Sequence, residues 1–198
     1  MRFIETKLSG VYVIELERLE DSRGFFARSF CARDFAQHGL HSEFVQCNVS
    51  YNSGRGTIRG MHFQRSPAAE TKLVRCTRET IHDVVVDLRE DSATFRQHLA
   101  VTLSAEERNA LYIPERFAHG FQTLEDDTEV FYQMGDYYTP GDAAGLRFDD
   151  PKLGIEWPLP VSATNVTFST HFARAFIASA FRQVQDTGWA IISHLTDR

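Results

Sequence analysis

The chain of 198 residues has little of what staples small or exported folds: three cysteines, six prolines, three methionines and two tryptophans. Cys31, Cys47 and Cys76 are odd in number and lack a Cys-x-x-Cys spacing, so they read as reduced thiols, mostly core filler. No segment approaches the roughly 20 apolar residues needed to span a bilayer, and the start, Met1-Arg2-Phe3-Ile4-Glu5, lacks the apolar stretch of an export signal. The expectation is a cytoplasmic protein with no membrane partner. Basic residues form no block and the net charge is −6, which argues against a nucleic-acid partner. A local Arg/Lys cluster can still oppose that global sign and receive an anionic small molecule. The phosphate-binding loop, the dinucleotide fingerprint and the nucleophile elbow are all missing.

What is present is ordinary for a globular protein: 42% hydrophobic and 24% charged residues, in a length that suits one domain. A chain of this size buries a core without disulfides or a structural metal. The less ordinary figure is 16 Phe, spread over many short segments, which suits a β-rich core. Gly10 to Leu19 alternates like a strand, Asp21-Ser22-Arg23-Gly24 breaks it, and Phe25-Phe26 restarts an extended run. Ala32 to His38 is briefly helical, closed by Gly39 at C′. Strand-like pieces then follow at 43–50, 57–64, 72–76, 81–88, 98–103, 110–113, 120–124 and 128–134, with one helical turn at the capping-box signature Ser104-Ala-Glu-Glu107. The predicted class is all-β, a double-sheet jelly roll with a few short helices.

Residues 1–160 form the predicted domain, and the chain changes character after Trp157-Pro158. In residues 161–198 the apolar set Ala173, Phe176, Ile177, Ala180, Phe181 and Val184 has helical spacing. That tail is expected to pack as a helix on the domain or on a partner subunit.

Three stretches are polar where a buried strand would be apolar. In Arg55-Gly-Thr-Ile-Arg59-Gly-Met-His62-Phe-Gln64, alternation places Arg59, Met61 and Phe63 on one face and Gly60, His62 and Gln64 on the other. The others are Lys72-Leu-Val-Arg75 with His82-Asp83, and Ile113-Pro-Glu-Arg-Phe-Ala-His119-Gly-Phe121. His62, His82 and His119 could supply imidazoles to a metal, but the His-x-His pattern typical of metal-binding jelly rolls is broken by Gln64, a poor ligand. Acid/base chemistry remains, with His62 as base and a tyrosine such as Tyr132 as donor. Each residue also has a plain alternative: Lys72 as a solvated strand end, Tyr132 as a core ring, Asp83 as the structural partner of an arginine.

Taken in order, Asp21-Ser-Arg-Gly-Phe-Phe26, Phe44-Val-Gln-Cys-Asn48, Gly56-Thr-Ile-Arg-Gly-Met-His-Phe-Gln64, Lys72-Leu-Val-Arg-Cys76 and Asp83-Val-Val-Val-Asp-Leu-Arg89 resemble the dTDP-4-dehydrorhamnose 3,5-epimerase family. Ile113-Pro-Glu-Arg-Phe-Ala-His-Gly-Phe121, Glu129-Val-Phe-Tyr132, Tyr137-Tyr-Thr-Pro140, Asp149-Asp-Pro151 and Ile155-Glu-Trp-Pro158 extend the likeness. The resemblance implies a cupin-like homodimer that takes dTDP-4-keto-6-deoxyglucose without metal or organic cofactor. It makes His62 the base, Tyr132 the opposing acid and Lys72 the cation near the keto oxygen. It also puts Arg23, Gln46, Asn48, Arg59, His119 and Tyr138 against the ligand, with Asp83 as a second acidic residue of the pocket. The family carries an Asp that orients the catalytic histidine about ten residues after Trp-Pro, whereas residues 162–172 here hold no carboxylate. Arg28 and Ala143 also stand where many members have Glu. Three readings therefore stay open: an active 3,5-epimerase with another group orienting His62, such as Asp186; a C3-only epimerase; or a silent binding protein.

Overall fold

The computed structural model describes residues 1–161; the tail on which a helix, Asp186 and the substitute for the orienting Asp were sought lies outside them, save Val161. Thirteen strands and one short helix make up the rest, in chain order. They are β1 (Arg2–Glu5), β2 (Tyr12–Glu15), β3 (Leu19–Asp21), β4 (Gly24–Phe26), α1 (Ala32–Gln37), β5 (Gln46–Asn52) and β6 (Ile58–Gln64). After these come β7 (Lys72–Arg78), β8 (Thr80–Asp87), β9 (His98–Ser104), β10 (Ala110–Ile113), β11 (Phe117–Thr123), β12 (Thr128–Met134) and β13 (Ala143–Gly145). A six-stranded sheet runs β1-β2-β10-β7-β12-β5 and a five-stranded sheet runs β13-β6-β11-β8-β9; β3 and β4 form a separate hairpin. This is the expected antiparallel double-sheet architecture.

The core between the sheets is built by alternation. Val74 and Cys76 from β7, Ile81 and Val85 from β8, Phe117 and Phe121 from β11 and Val130 from β12 interlock with Leu8, Leu103 and Leu111. The sheets are covered outside as well, so several strands are buried on both faces. On β8 the odd residues Ile81 and Val85 enter the central core, while Val84 and Val86 pack under Phe148, Leu153 and Trp157. On the six-stranded sheet, Phe35 of α1 seats on Ile14, Leu73, Ala110 and Tyr112. Phe3, Phe30 and Phe44 surround it, with ring centroids of Phe30 and Phe35 5.0 Å apart. Replacing such a fully buried ring by alanine costs about 3–5 kcal/mol.

Local chemistry explains the helix end. Gly39 has φ +69°, its N–H bonds the Ala36 carbonyl, and the Leu40 N–H bonds the Phe35 carbonyl, both at 3.0 Å. Those two bonds are a Schellman closure, which favours glycine at the left-handed position. The expected turn at Ser104 is a single turn and no helix: Arg108 N–H reaches the Ser104 carbonyl at 2.8 Å, while Ser104 Oγ accepts from Glu106 N–H at 3.0 Å. Strand β11 begins three residues earlier than alternation predicts, directly after Arg116 turns the chain with φ 65°.

Candidate active site

Residues of both sheets line a cavity of about 730 Å³. The five-stranded sheet contributes Arg59, His62 and His119, and the six-stranded sheet contributes Gln46, Asn48, Lys72 and Tyr132, with Tyr138 at the rim. Those eight predicted residues are brought together. Arg23 is not: it lies on the exposed β3–β4 hairpin, where it pairs with Asp21 at 2.6 Å. Asp83 does not line the cavity either. It sits fully buried behind His119, whose Nε2 stands 2.8 and 3.0 Å from its two oxygens.

Arg59 and His62 face the cavity together, although alternation put them on opposite faces. The cause is an irregular register between β6 and β11, where His119 opposes His62 but Phe121 opposes Arg59. Gly60 and Gly120 meet there. A β-carbon on Gly60 would stand 2.5 Å from the Gly120 α-carbon, so the backbones approach as only glycines permit. The irregularity shifts the period of two by one residue, turning Met61 into the outer core and bringing Arg59 round to His62.

His82 is on the other face of β8 from Asp83, with its ring 6.1 Å from that of Trp157. The three imidazoles considered as metal ligands therefore do not converge, and among the described residues no cluster of three or more potential ligands has metal-binding placement. Gln64 is a structural tie: its amide donates to the carbonyls of Ala68 and Tyr137, and its Oε1 accepts from Thr139 N–H at 2.6 Å.

The environments of the two proton-transfer candidates differ in sign. Burial, aided by the positive charges of Lys72, His119 and Arg59, lowers the His62 imidazole to about 4, so the ring is neutral at pH 7. Burial and the nearby Asp83 charge raise the Tyr132 phenol above its ordinary range, which keeps it protonated. A neutral base and a protonated acid on facing sheets is how acid and base assignments separate in an active site. Burial likewise raises the Asp83 carboxyl, against the pull of His119. The His119 ring then stands edge-on to Tyr132, with centroids 6.1 Å apart.

Lys72 is no solvated strand end. Its side chain is 8% exposed and its Nζ is 2.6 Å from Oε1 of Glu70. Arg59 donates to neutral oxygens, Asn52 Oδ1 at 2.5 Å and the Tyr51 carbonyl at 3.5 Å, and among the described residues it makes no ion pair. Glu70, Ser50, Phe63 and Met134 also line the cavity, and sequence reasoning missed them. Glu70 was within reach, because residues two apart entering a strand share a face and Lys72 was already singled out.

A cavity between jelly-roll sheets, with convergent polar groups set in an otherwise apolar lining, is the form of site a small-molecule enzyme uses. The family model described as dTDP-4-dehydrorhamnose 3,5-epimerase matches residues 5–178, and the chain belongs to that family. The dTDP-4-dehydrorhamnose 3,5-epimerase of Methanothermobacter thermautotrophicus is 46% identical over 158 residues, which are 80% of this chain and 84% of the relative. The crystal structure of the Bacillus anthracis dTDP-4-dehydrorhamnose 3,5-epimerase with TDP and pyrophosphate bound is 40% identical, with a TM-score of 0.80 over 84% of this chain and 94% of that one. The Legionella pneumophila dTDP-6-deoxy-D-glucose-3,5-epimerase, in complex with dTDP-4-keto-L-rhamnose, is 36% identical, with a TM-score of 0.78 over 87% and 90%.

Proposed function

We propose that the chain inverts C3 and C5 of dTDP-4-keto-6-deoxyglucose by proton transfer alpha to the C4 ketone, the reaction of dTDP-L-rhamnose synthesis. The observation that carries this reading is the opposition of neutral His62 and protonated Tyr132 across one cavity. The ketone acidifies the protons at C3 and C5. His62 removes one, the electron pair moves onto the carbonyl oxygen, and the Lys72 ammonium stabilises the enolate charge as it develops. Tyr132 returns a proton to the opposite face and regains one from solvent, while His62 releases the proton it took; the centre is inverted with no net change in atoms or electrons.

An imidazole held near 4 is a weak base in the ligand-free cavity. The diphosphate of the substrate brings negative charge among the same cations that hold His62 down, and so moves it back toward the range where a base works best. Arg59, without a carboxylate partner among the described residues, suits the phosphates. Gln46, Asn48, His119 and Tyr138 are assigned to the ligand and Asp83 to the orientation of His119.

The protein acts as a homodimer in the cytoplasm on this reading. Leu19 and Phe26 on the β3–β4 hairpin are each 70% exposed, and Val49 and Tyr51 are exposed on the edge strand β5, which is apolar surface that a second copy would cover. Arg23 rides on that hairpin and would serve a ligand only across such an interface. The three cysteines are unpaired, as suits a reducing compartment.

Incubation with dTDP-4-keto-6-deoxyglucose in D₂O tests the reaction. Deuterium is expected at both C3 and C5, and none with His62→Asn. Incorporation at C3 alone would make it a C3 epimerase. Affinity for dTDP-sugars without any exchange in correctly folded wild-type protein would overturn the enzyme reading in favour of a binding protein.

A further inference from the structure

Glu70 and Lys72 form an ion pair with side chains 4% and 8% exposed, at the wall of the cavity. The carboxylate is unusual in having so little else to do. Asp87, a buried structural carboxylate, takes Arg89 through its Nε and Nη2, the Ser92 and Thr94 hydroxyls and the Arg89 backbone N–H, and so ties a loop together. Glu70 offers Oε1 to Lys72, while its buried Oε2 has no hydrogen-bond partner among the described residues. Burying a carboxylate costs free energy, and the contact that offsets it for Glu70 is the one with Lys72.

We propose that Glu70 is the positioning residue for Lys72, holding its ammonium protonated and aimed into the cavity. This rests on the reading of Lys72 as the cation beside the keto oxygen. A lysine amine is a compact charge on a flexible four-carbon stem, and unaided it neither keeps one direction nor stays charged once buried. It has three N–H donors. Glu70 takes one at 2.6 Å, the His62 carbonyl takes another at 3.5 Å, and the third is left for an oxygen in the cavity. The titratable and charged groups that share the cavity with Lys72 from other elements are His62 and Arg59 of β6, His119 of β11 and Tyr132 of β12, with Asp83 of β8 behind His119 and within reach of the Lys72 charge. Arg59 adds positive charge, while Asp83 is in contact with His119, so Glu70 is the counter-charge in direct contact with Lys72. Because the pair is neutral as a whole, Glu70 does not add to the field on an enolate; it secures the proton and the aim of the group that does.

The test uses the full chain as wild type, Glu70→Gln and Glu70→Asp, with kcat and KM followed from pH 6 to 10 and Lys72 acetylation by limiting acetic anhydride read by mass spectrometry. Glutamine keeps the shape and removes the charge. It is expected to move the alkaline limb of kcat down by about one pH unit or more and to raise Lys72 acetylation near pH 8 by about 10-fold, with KM changed by less than about 3-fold. Aspartate, one methylene short, moves both readouts the same way by less. An unmoved limb together with unmoved acetylation overturns the proposal even if kcat falls, because a merely structural loss changes neither. Acetylation is measured without substrate, so a wild-type protein that fails to epimerise still reports on the pair, and the two readings fail separately.

Discussion

Gly60 and Gly120 touch backbone to backbone across β6 and β11, and that contact is what places Arg59 and His62 in the same cavity. A β-carbon on Gly60 would lie 2.5 Å from the Gly120 α-carbon and 3.2 Å from the His119 carbonyl oxygen, and both of those neighbours are main chain that cannot swing aside. Gly60→Ala is expected to cost about 2–4 kcal/mol of stability from overpacking and backbone strain, measured by urea unfolding. The surviving folded protein is expected to bind dTDP more weakly, because Arg59 and His62 move apart. Wild-type stability in this variant would show that the close approach is relaxed in solution.

The charge state of His62 gives a pH signature. Its folded value of about 4 lies below the ordinary 6.5, so between those values the unfolded chain takes up a proton that the folded chain refuses. The stability associated with the neutral ring is therefore fully present above pH 6.5 and is lost as the pH falls toward 4. Thermal melts at pH 7 and pH 5 are expected to differ more for wild type than for His62→Asn. An equal drop in both would mean that the ring is not held neutral.

Tyr132→Phe removes the donor and leaves the base. Epimerisation is expected to fall by about 100-fold or more, the usual contribution of a positioned acid. Deuterium exchange with retained configuration is expected to continue, since His62 can return a solvent-derived deuteron to the face it came from. Loss of exchange together with inversion would place Tyr132 in the abstraction step instead.

The His119–Asp83 pair joins residues 36 positions apart, with side chains 6% and 0% exposed. Asp83→Asn is expected to destabilise by about 3–5 kcal/mol, as breaking one side of a buried pair does. A double-mutant cycle with His119→Asn is expected to return a coupling energy of about 1–3 kcal/mol in urea unfolding. Additive effects would mean that the contact carries no interaction of its own.

Dimerisation is testable at the hairpin. Phe26→Ser removes an apolar ring that is 70% exposed in the isolated chain. Sedimentation velocity is expected to show a dimer for wild type and a shift toward monomer for the variant, with dTDP affinity falling alongside if Arg23 reaches a partner's cavity. A monomeric wild type would remove the proposed interface.

Much of this molecule was legible in its sequence. Apolar alternation located most of the strands, Gly39 marked the helix end, and the polar stretches contained Arg59, His62, Lys72 and His119, while Gln46, Asn48 and Tyr138 came only with the family resemblance. Those features are set by neighbours along the chain, where the backbone period, the turn chemistry and the side-chain type act within a few residues. The limits were equally physical. Alternation separated Arg59 from His62 because a register irregularity against a distant strand cannot be seen from one strand alone. Asp83 was expected against the ligand or an arginine and instead holds His119, and Arg23 was expected in the cavity and stands outside it on a hairpin.

By itself, then, the sequence determined an antiparallel double-sheet fold and the chemical types available to a site, because both follow from local periodicity and composition. Only the tertiary structure decided which of those groups meet. Which imidazole backs onto a carboxylate, which is turned out under Trp157, and which lysine acquires a buried glutamate depend on strand register and on how two sheets close over each other. Except for Glu70 and Lys72, two apart, those are contacts between residues far apart in the chain, and burial then shifts the protonation of what it encloses: the same closure that brings His62 and Tyr132 to one cavity favours the neutral imidazole of the first and the protonated phenol of the second.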